Sequence, residues 1–109
     1  MFVNRNSRAP YVTIASGGTA SSALKFGDYA FGIFYIPSAF TGATVTFQTS
    51  YDGTTYTTLR DSSNADISYT VTASKSYAFP DEASGASYIK IVSASAEGAD
   101  RTIYCNVKG

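Results

Sequence analysis

The feature that most constrains this chain is the alternation of apolar and polar side chains over short segments, none of which keeps the spacing of a helix. Gly, Ser and Thr interrupt every window in which apolar residues could recur at spacings of three and four. Segments of strand character follow one another at regular spacing, with turn residues between them: 11–15, 28–36, 43–51, 55–60, 67–72, 76–79, 87–93 and 102–107. This pattern predicts an all-β chain that forms a single antiparallel β-sandwich, jelly-roll or immunoglobulin-like, of about eight strands.

The length and the connections favour one domain. A chain of 109 residues can bury roughly two-thirds of the surface that its unfolded form exposes. The segments between the predicted strands are short enough to be loops within one domain. We expect an N-terminal arm over residues 1–10 and the sandwich domain over residues 11–109.

The last predicted strand shows which side of it faces the core. Ile103, Cys105 and Val107 share one face, and Tyr104 lies on the other. Cys105 is the one cysteine of the chain, and no cationic side chain lies next to it in the sequence to lower its pKa. We therefore expect a buried and inert thiol.

Residues 29–37, "YAFGIFYIP", depart from this alternation because both faces of the strand are apolar. Phe31, Ile33 and Tyr35 alternate with Phe34 and Ile36. Such a strand is typically central and covered on both sides. The core supplies one cover, and the other is either a loop of the same chain or a neighbouring subunit. The sequence leaves these two alternatives open.

The segment from Thr44 to Leu59 is predicted to be a hairpin. Asp52-Gly53 is a favoured pair for a type I′ turn between two strands. A strict two-residue loop would place Tyr56 and Leu59 on opposite faces, whereas a longer loop or a bulge would bring both inward. The register of this hairpin therefore stays open.

The composition excludes several classes of function. The chain has eight basic and eight acidic residues, a net charge of zero, no histidine and no tryptophan, so it offers no basic field for nucleic acid and no Cys/His metal site. Catalysis by Ser-His-Asp or Cys-His is excluded, and nearly all the acidic residues lie in predicted turns, where Asp is common for its local hydrogen bonds. The segment 61–66, "DSSNAD", has oxygen ligands but lacks the spacing of a calcium loop. We expect no enzyme activity, no cofactor, no metal and no nucleic-acid partner.

No apolar run approaches the length of a membrane span, and "MFVNRNSRAPY" lacks the apolar core of a signal peptide. We therefore expect a chain that is made in the cytoplasm without export and does not insert into a membrane. The low charged fraction, 15%, suits a protein that works within an assembly.

The candidate contact residues come from three places in the sequence. Alternation exposes Tyr88 and Tyr104, and tyrosine is well suited to interfaces. The arm carries basic residues that can pair with acidic groups of a partner, and the two-sided strand carries apolar ones. The residues nominated for partner binding are Phe2, Arg5, Arg8, Phe34, Ile36, Tyr88 and Tyr104.

The order of four segments resembles a pattern found in small structural proteins of tailed bacteriophages. The segments are "IPSAFTGATVTFQTSYDGTTYTTL", "ISYTVTASKSYAF", "ASYIKIVS" and "ADRTIYCNV", and the resemblance covers about residues 29–107. The recurring points are Pro37, Phe40, Phe47, residues 50–53, residues 88–90 and Arg101.

The resemblance implies a β-sandwich protein of the virion, either a capsid decoration (cement) protein or a fibre-base protein. Its partner would then be the major capsid protein or another virion protein. We expect a decoration protein on the surface of the phage head, made in the cytoplasm of the bacterial host and forming a homo-oligomer, with a trimer favoured. The alternative is a tail-fibre or carbohydrate-binding module for attachment to the host, in which Tyr or Phe would stack on a sugar.

Overall fold

The computed structural model of the protein describes residues 7–109, and side chains from residue 9 onward. In chain order the strands are β1 (Ser7–Arg8), β2 (Tyr11–Ile14), β3 (Leu24–Lys25), β4 (Phe31–Tyr35), β5 (Thr44–Ser50), β6 (Thr57–Thr58), β7 (Ser68–Thr70), β8 (Ser76–Ala78), β9 (Tyr88–Ser93) and β10 (Arg101–Lys108). One 3₁₀ turn, η1 (Asp81–Gly85), lies between β8 and β9. Every strand pair is antiparallel.

The strands form two sheets that pack face to face. In sheet A, β10 lies between β4 and the edge made of β1 and β2, and β8 is the outer neighbour of β4. In sheet B, β9 lies between β3 and β5, and β6 and β7 both pair with β5. The prediction of an all-β antiparallel sandwich is thereby confirmed. The two strands that the sequence analysis missed, β1 and β3, have two residues each, too few to show alternation.

The edge of sheet A is one strand that Pro10 interrupts. Ser7 pairs with Lys108 and Tyr11 pairs with Tyr104, so β1 and β2 continue in a single register along β10. The N–H of Cys105 donates to the carbonyl of Pro10 at 2.9 Å, but the return bond is missing because proline has no N–H. Residues 7–10 of the predicted arm thus extend the sheet, and residues 1–6 lie outside the described residues.

Aromatic rings fill the space between the two sheets. Phe34 of sheet A meets Phe47 of sheet B edge to face, with ring centroids 5.7 Å apart. Phe34 also contacts Phe79 at 5.0 Å and stacks on Tyr69 at 6.2 Å. Both phenylalanines of the central pair are fully buried, which stabilises the fold by roughly 1.5–3 kcal/mol for each side chain.

The last strand lies as its alternation predicts. Ile103, Cys105 and Val107 are buried, and Tyr104 is exposed. Burial raises the pKa of the Cys105 thiol to about 12, so the reactive thiolate form does not accumulate at neutral pH. The prediction of a buried thiol is confirmed, and the raised pKa agrees with an unreactive one.

The hairpin between β5 and β6 has a longer loop than a type I′ turn. Residues 51–56 connect the strands, and Gly53 has a φ of +80° while Asp52 does not have a positive φ. A type I′ turn needs a positive φ at both residues, so the longer loop, one of the two alternatives that the sequence left open, is the one observed. The Asp52 carboxylate instead accepts the N–H groups of Thr54 and Thr55 at 2.8 and 2.9 Å, which stabilises the longer loop.

The connections between the sheets meet at a buried carboxylate, Glu97. Its two oxygens accept the N–H groups of Thr41 and Gly42, the Ser93 hydroxyl and the Arg101 Nε–H at 2.8–3.0 Å. Burial would raise the pKa of Glu97, but these donors outweigh it and lower the pKa to about 2. The carboxylate therefore stays ionised and holds together the loops that precede β5 and β10.

Candidate contact surface

Exposed apolar side chains are concentrated on the outer face of sheet A. Six large apolar side chains of the described residues are exposed, and five of them stand on this face. We call these five the aromatic face: Tyr11, Phe31, Ile33, Tyr35 and Tyr104.

The sheet register makes the aromatic face continuous. Tyr104 is the cross-strand partner of both Tyr11 and Tyr35, and the Tyr11 and Tyr104 rings lie 5.9 Å apart between centroids. Ile33 and Phe31 continue along β4 on the same side. The aromatic face therefore crosses β2, β10 and β4 without a charged residue between its members.

A groove lies at one end of the aromatic face. Phe31, Ile33 and Tyr35 line it, and Asp81 of η1 and Lys108 of β10 line it as well. Asn106 also lines the groove and accepts a hydrogen bond from the Tyr35 hydroxyl at 3.1 Å. The groove thus joins an apolar floor to charged groups of both signs.

The nominated contact residues do not lie together. Tyr104 is 62% exposed at the centre of the aromatic face. Tyr88 is half-buried on β9, whose core residues Ile89 and Ile91 face inward, so Tyr88 lies on the opposite side of the sandwich. The backbone of Arg8 pairs with Val107. Phe2, Arg5 and the side chain of Arg8 lie outside what the structure describes.

The nomination of Phe34 and Ile36 is wrong. Both side chains are buried in the core and cannot reach a partner. The exposed face of this strand carries Phe31, Ile33 and Tyr35 instead, and no loop of the described residues covers it. Because both faces of the strand are apolar, composition alone did not indicate which one faces inward.

Alternation along the strands identified Tyr104 but not the other four members of the aromatic face. For three of these, on β4, Gly32 was the available signal. Gly32 shares its side of β4 with Phe34, and a Cβ placed there would lie 2.8 Å from both the Asn106 carbonyl oxygen and the Val107 Cγ1. A residue without a side chain between large ones indicates close packing. It marks the Phe34 side as the inner one and the Phe31 side as the outer one.

The acidic residues of the described segments do not gather into a site. No group of three or more His, Cys, Asp or Glu residues within the described part of the chain could hold a metal ion. In the segment 61–66, Asp61 accepts the N–H groups of Ser63 and Ala65, and Asp66 pairs with Arg60 at 2.9 Å. These oxygens stabilise their own loop.

Among residues 7–109, no helix is both long and apolar enough to cross a membrane.

Comparison of the sequence with known protein families and with curated proteins finds no match. Comparison of the fold with solved structures finds the crystal structure of the SPBc2 prophage-derived protein YomS, with a TM-score of 0.61. The likeness covers 100% of both chains at 15% sequence identity. The chain and this prophage-derived protein therefore share one fold over their whole length.

Proposed function

We propose that this chain is a non-enzymatic structural protein of a phage virion, made in the host cytoplasm and placed on the head as a decoration protein. In this proposal it binds the surface formed by the major capsid protein and stabilises adjacent capsid subunits. The observation that carries the proposal is the aromatic face, a continuous apolar surface on a small chain of zero net charge.

The physical argument is that such a surface works by contact. Contiguous apolar patches of this kind on a small soluble domain mark sites of interaction. Tyrosine and phenylalanine supply large rigid area at a low cost in side-chain entropy, and tyrosine is among the residues that dominate binding energy at interfaces. Attachment by apolar burial and hydroxyl hydrogen bonds needs neither a cofactor nor a catalytic group.

The likeness to a prophage-derived protein supports the phage context. It agrees with the resemblance of residues 29–107 to small virion proteins, which rests on the sequence and not on the fold. The first uses the arrangement of strands, and the second uses the order of short motifs along the chain.

Sedimentation with undecorated heads of the parent phage tests the proposal. Wild-type protein should pellet with the heads, and Tyr104→Ala should weaken its binding by roughly tenfold or more, as expected for an interface tyrosine. Tyr51→Ala is the matched control, because Tyr51 is more exposed, at 83%, but lies in the loop after β5. Failure of the wild-type protein to bind heads would overturn the proposal.

A second candidate function is sugar binding at a tail fibre. The tilted pair of Tyr11 and Tyr104 on an open sheet favours it, because exposed aromatic rings can stack on a sugar. Titration with fragments of the host polysaccharide, followed by NMR, should then shift the ring resonances of Tyr11 and Tyr104. Unchanged resonances would exclude this candidate.

A further inference from the structure

We propose that the aromatic face is the interface between two copies of this chain, packed face to face about a twofold axis. The inference rests on the proposed function only in taking this face as a contact surface. It goes further by naming a second copy of the chain as the occupant of this face in the free protein.

The aromatic face supplies more than half of the area that a stable dimer needs. Its five side chains are between 40% and 63% exposed. With about 200 Å² for a fully exposed aromatic side chain, the five together present on the order of 500 Å². A standard interface takes roughly 800 Å² from each partner, and Thr13, Thr102 and Asn106 on the same face enlarge the surface toward that value.

A second copy of the chain is always available as a partner, because it is made together with the first. A chain of zero net charge has little electrostatic repulsion to keep an open apolar face from aggregating. Interfaces of permanent homodimers are more apolar than those of transient complexes. The face therefore suits a contact that forms as soon as the protein is made, before it meets a head.

The number of copies follows from the number of patches. Within the described residues, the one exposed large apolar side chain outside the aromatic face is Tyr51. A closed ring of three joins two different parts of each copy's surface, whereas a twofold axis pairs one patch with itself. The geometry therefore favours two copies, in place of the trimer favoured by the sequence.

The shape and the charge of the face agree with self-pairing. Two antiparallel sheets pack face to face about 10 Å apart with their strands nearly aligned. The groove at one end of the face carries one positive group, Lys108, and one negative group, Asp81. An identical face turned about a twofold axis brings no excess of like charge against it.

Sedimentation velocity on the full chain, from 1 to 100 µM, tests the inference without heads. Wild-type protein should sediment as a dimer. Tyr104→Lys should raise the dimer dissociation constant by roughly a hundredfold or more, because it removes an interface tyrosine and places two like charges in the contact. Tyr51→Lys, the same change at a more exposed position, should leave the dissociation constant unchanged. Circular dichroism checks that both variants fold. If Tyr104→Lys does not fold, Phe31→Ser takes its place.

The outcomes separate this inference from the proposed function. A wild-type monomer at every concentration would overturn the inference, as would dissociation caused equally by Tyr51→Lys. If a wild-type monomer binds heads and Tyr104→Lys does not, the proposed function stands and the inference fails. If the dimer forms and Tyr104→Lys separates it, but no form binds heads, the inference stands and the decoration function fails.

Discussion

Both sheets carry aromatic side chains on their outer faces, but only those of sheet B are covered by other described residues of the chain. On sheet B, the ring of Tyr56 lies under the ammonium group of Lys90, 4.3 Å from the ring centroid. Tyr88 packs against the backbone of Gly53, where an added Cβ would lie 3.2 Å from the ring. On sheet A, Tyr11, Tyr35 and Tyr104 have no comparable cover among the described residues.

The difference shows that aromatic content alone does not identify a contact surface in a small sandwich. The chain covers the rings of sheet B with its own lysine and hairpin loop, and the neighbouring positions on β5 are Thr44, Thr46 and Gln48. Such a face can remain in water. The aromatic face has an apolar surface that no other part of residues 9–109 covers, and this contrast between the two faces is open to test.

The largest expected effect is the difference in stability between substitutions on the two sides of β4. Phe34→Ala should lower the free energy of unfolding by about 3–5 kcal/mol, because it leaves a cavity among Phe47, Tyr69 and Phe79. Tyr35→Ala, one residue further along, should cost about 1 kcal/mol or less, because its side chain stands outside the core. Urea denaturation of both variants measures the difference, and comparable losses would show that the Tyr35 side of the strand is covered.

Glu97→Gln should cause the next largest loss in the free energy of unfolding. The loss should involve both sheets, since Glu97 joins the two loops that run between them. The folded pKa of about 2 lies below the ordinary value of 4.5. The ionised carboxylate therefore contributes about 3 kcal/mol above pH 4.5, and this contribution is lost as the pH falls toward 2.

Urea denaturation between pH 7 and pH 2.5 measures the Glu97 contribution. The gap between wild type and Glu97→Gln should be widest at pH 7 and should narrow with acid. Glu82→Gln is the control, because Glu82 is exposed on η1. A gap that stays constant over this range would mean that the carboxylate is not the group responsible.

Strands β10 and β4 show where prediction from the sequence succeeds and where it stops. Alternation correctly predicted the two-layer sandwich and the inward side of β10, because apolar and polar side chains alternate clearly along that strand. It could not orient β4, since both of its sides are apolar, and the choice depends on packing against Phe47 and Val107. Close packing at Gly32 decides it.

Glu97 shows a second limit of the sequence. An acidic residue in a loop between two strands predicts a solvated turn, and nothing local distinguishes Glu97 from Asp100. Its donors Thr41 and Gly42 lie more than 50 residues away in the chain. Contacts that depend on the way two sheets close against each other leave no short-range pattern, and the same holds for the pairing of β1 with β10.

Salt should have a small effect on association through the aromatic face, because the contact buries apolar surface. Raising NaCl from 0.05 to 0.5 M should change the dimer dissociation constant by less than about threefold, since screening acts mainly on exposed charges. Ammonium sulfate should tighten the dimer, because excluded salts strengthen apolar burial. A steep loss of association in NaCl would instead show that charged residues, and not the apolar side chains, dominate the contact.

The smallest expected effect concerns the hairpin loop of sheet B, which we place outside any contact. Hydrogen bonds from the N–H groups of Thr55 and Thr54 and from the Ser50 hydroxyl lower the pKa of Asp52 below 3.8, so its support for the loop is present above that pH and is lost on further acidification. Asp52→Ala should therefore slightly lower Tm at pH 7, whereas Asp52→Asn should lower it less, because the amide oxygen can still accept the same N–H groups. Both variants should dimerise and bind heads as the wild type does. If either loses association while its circular dichroism is unchanged, the hairpin end of sheet B belongs to the contact surface, and the contrast between the two faces fails.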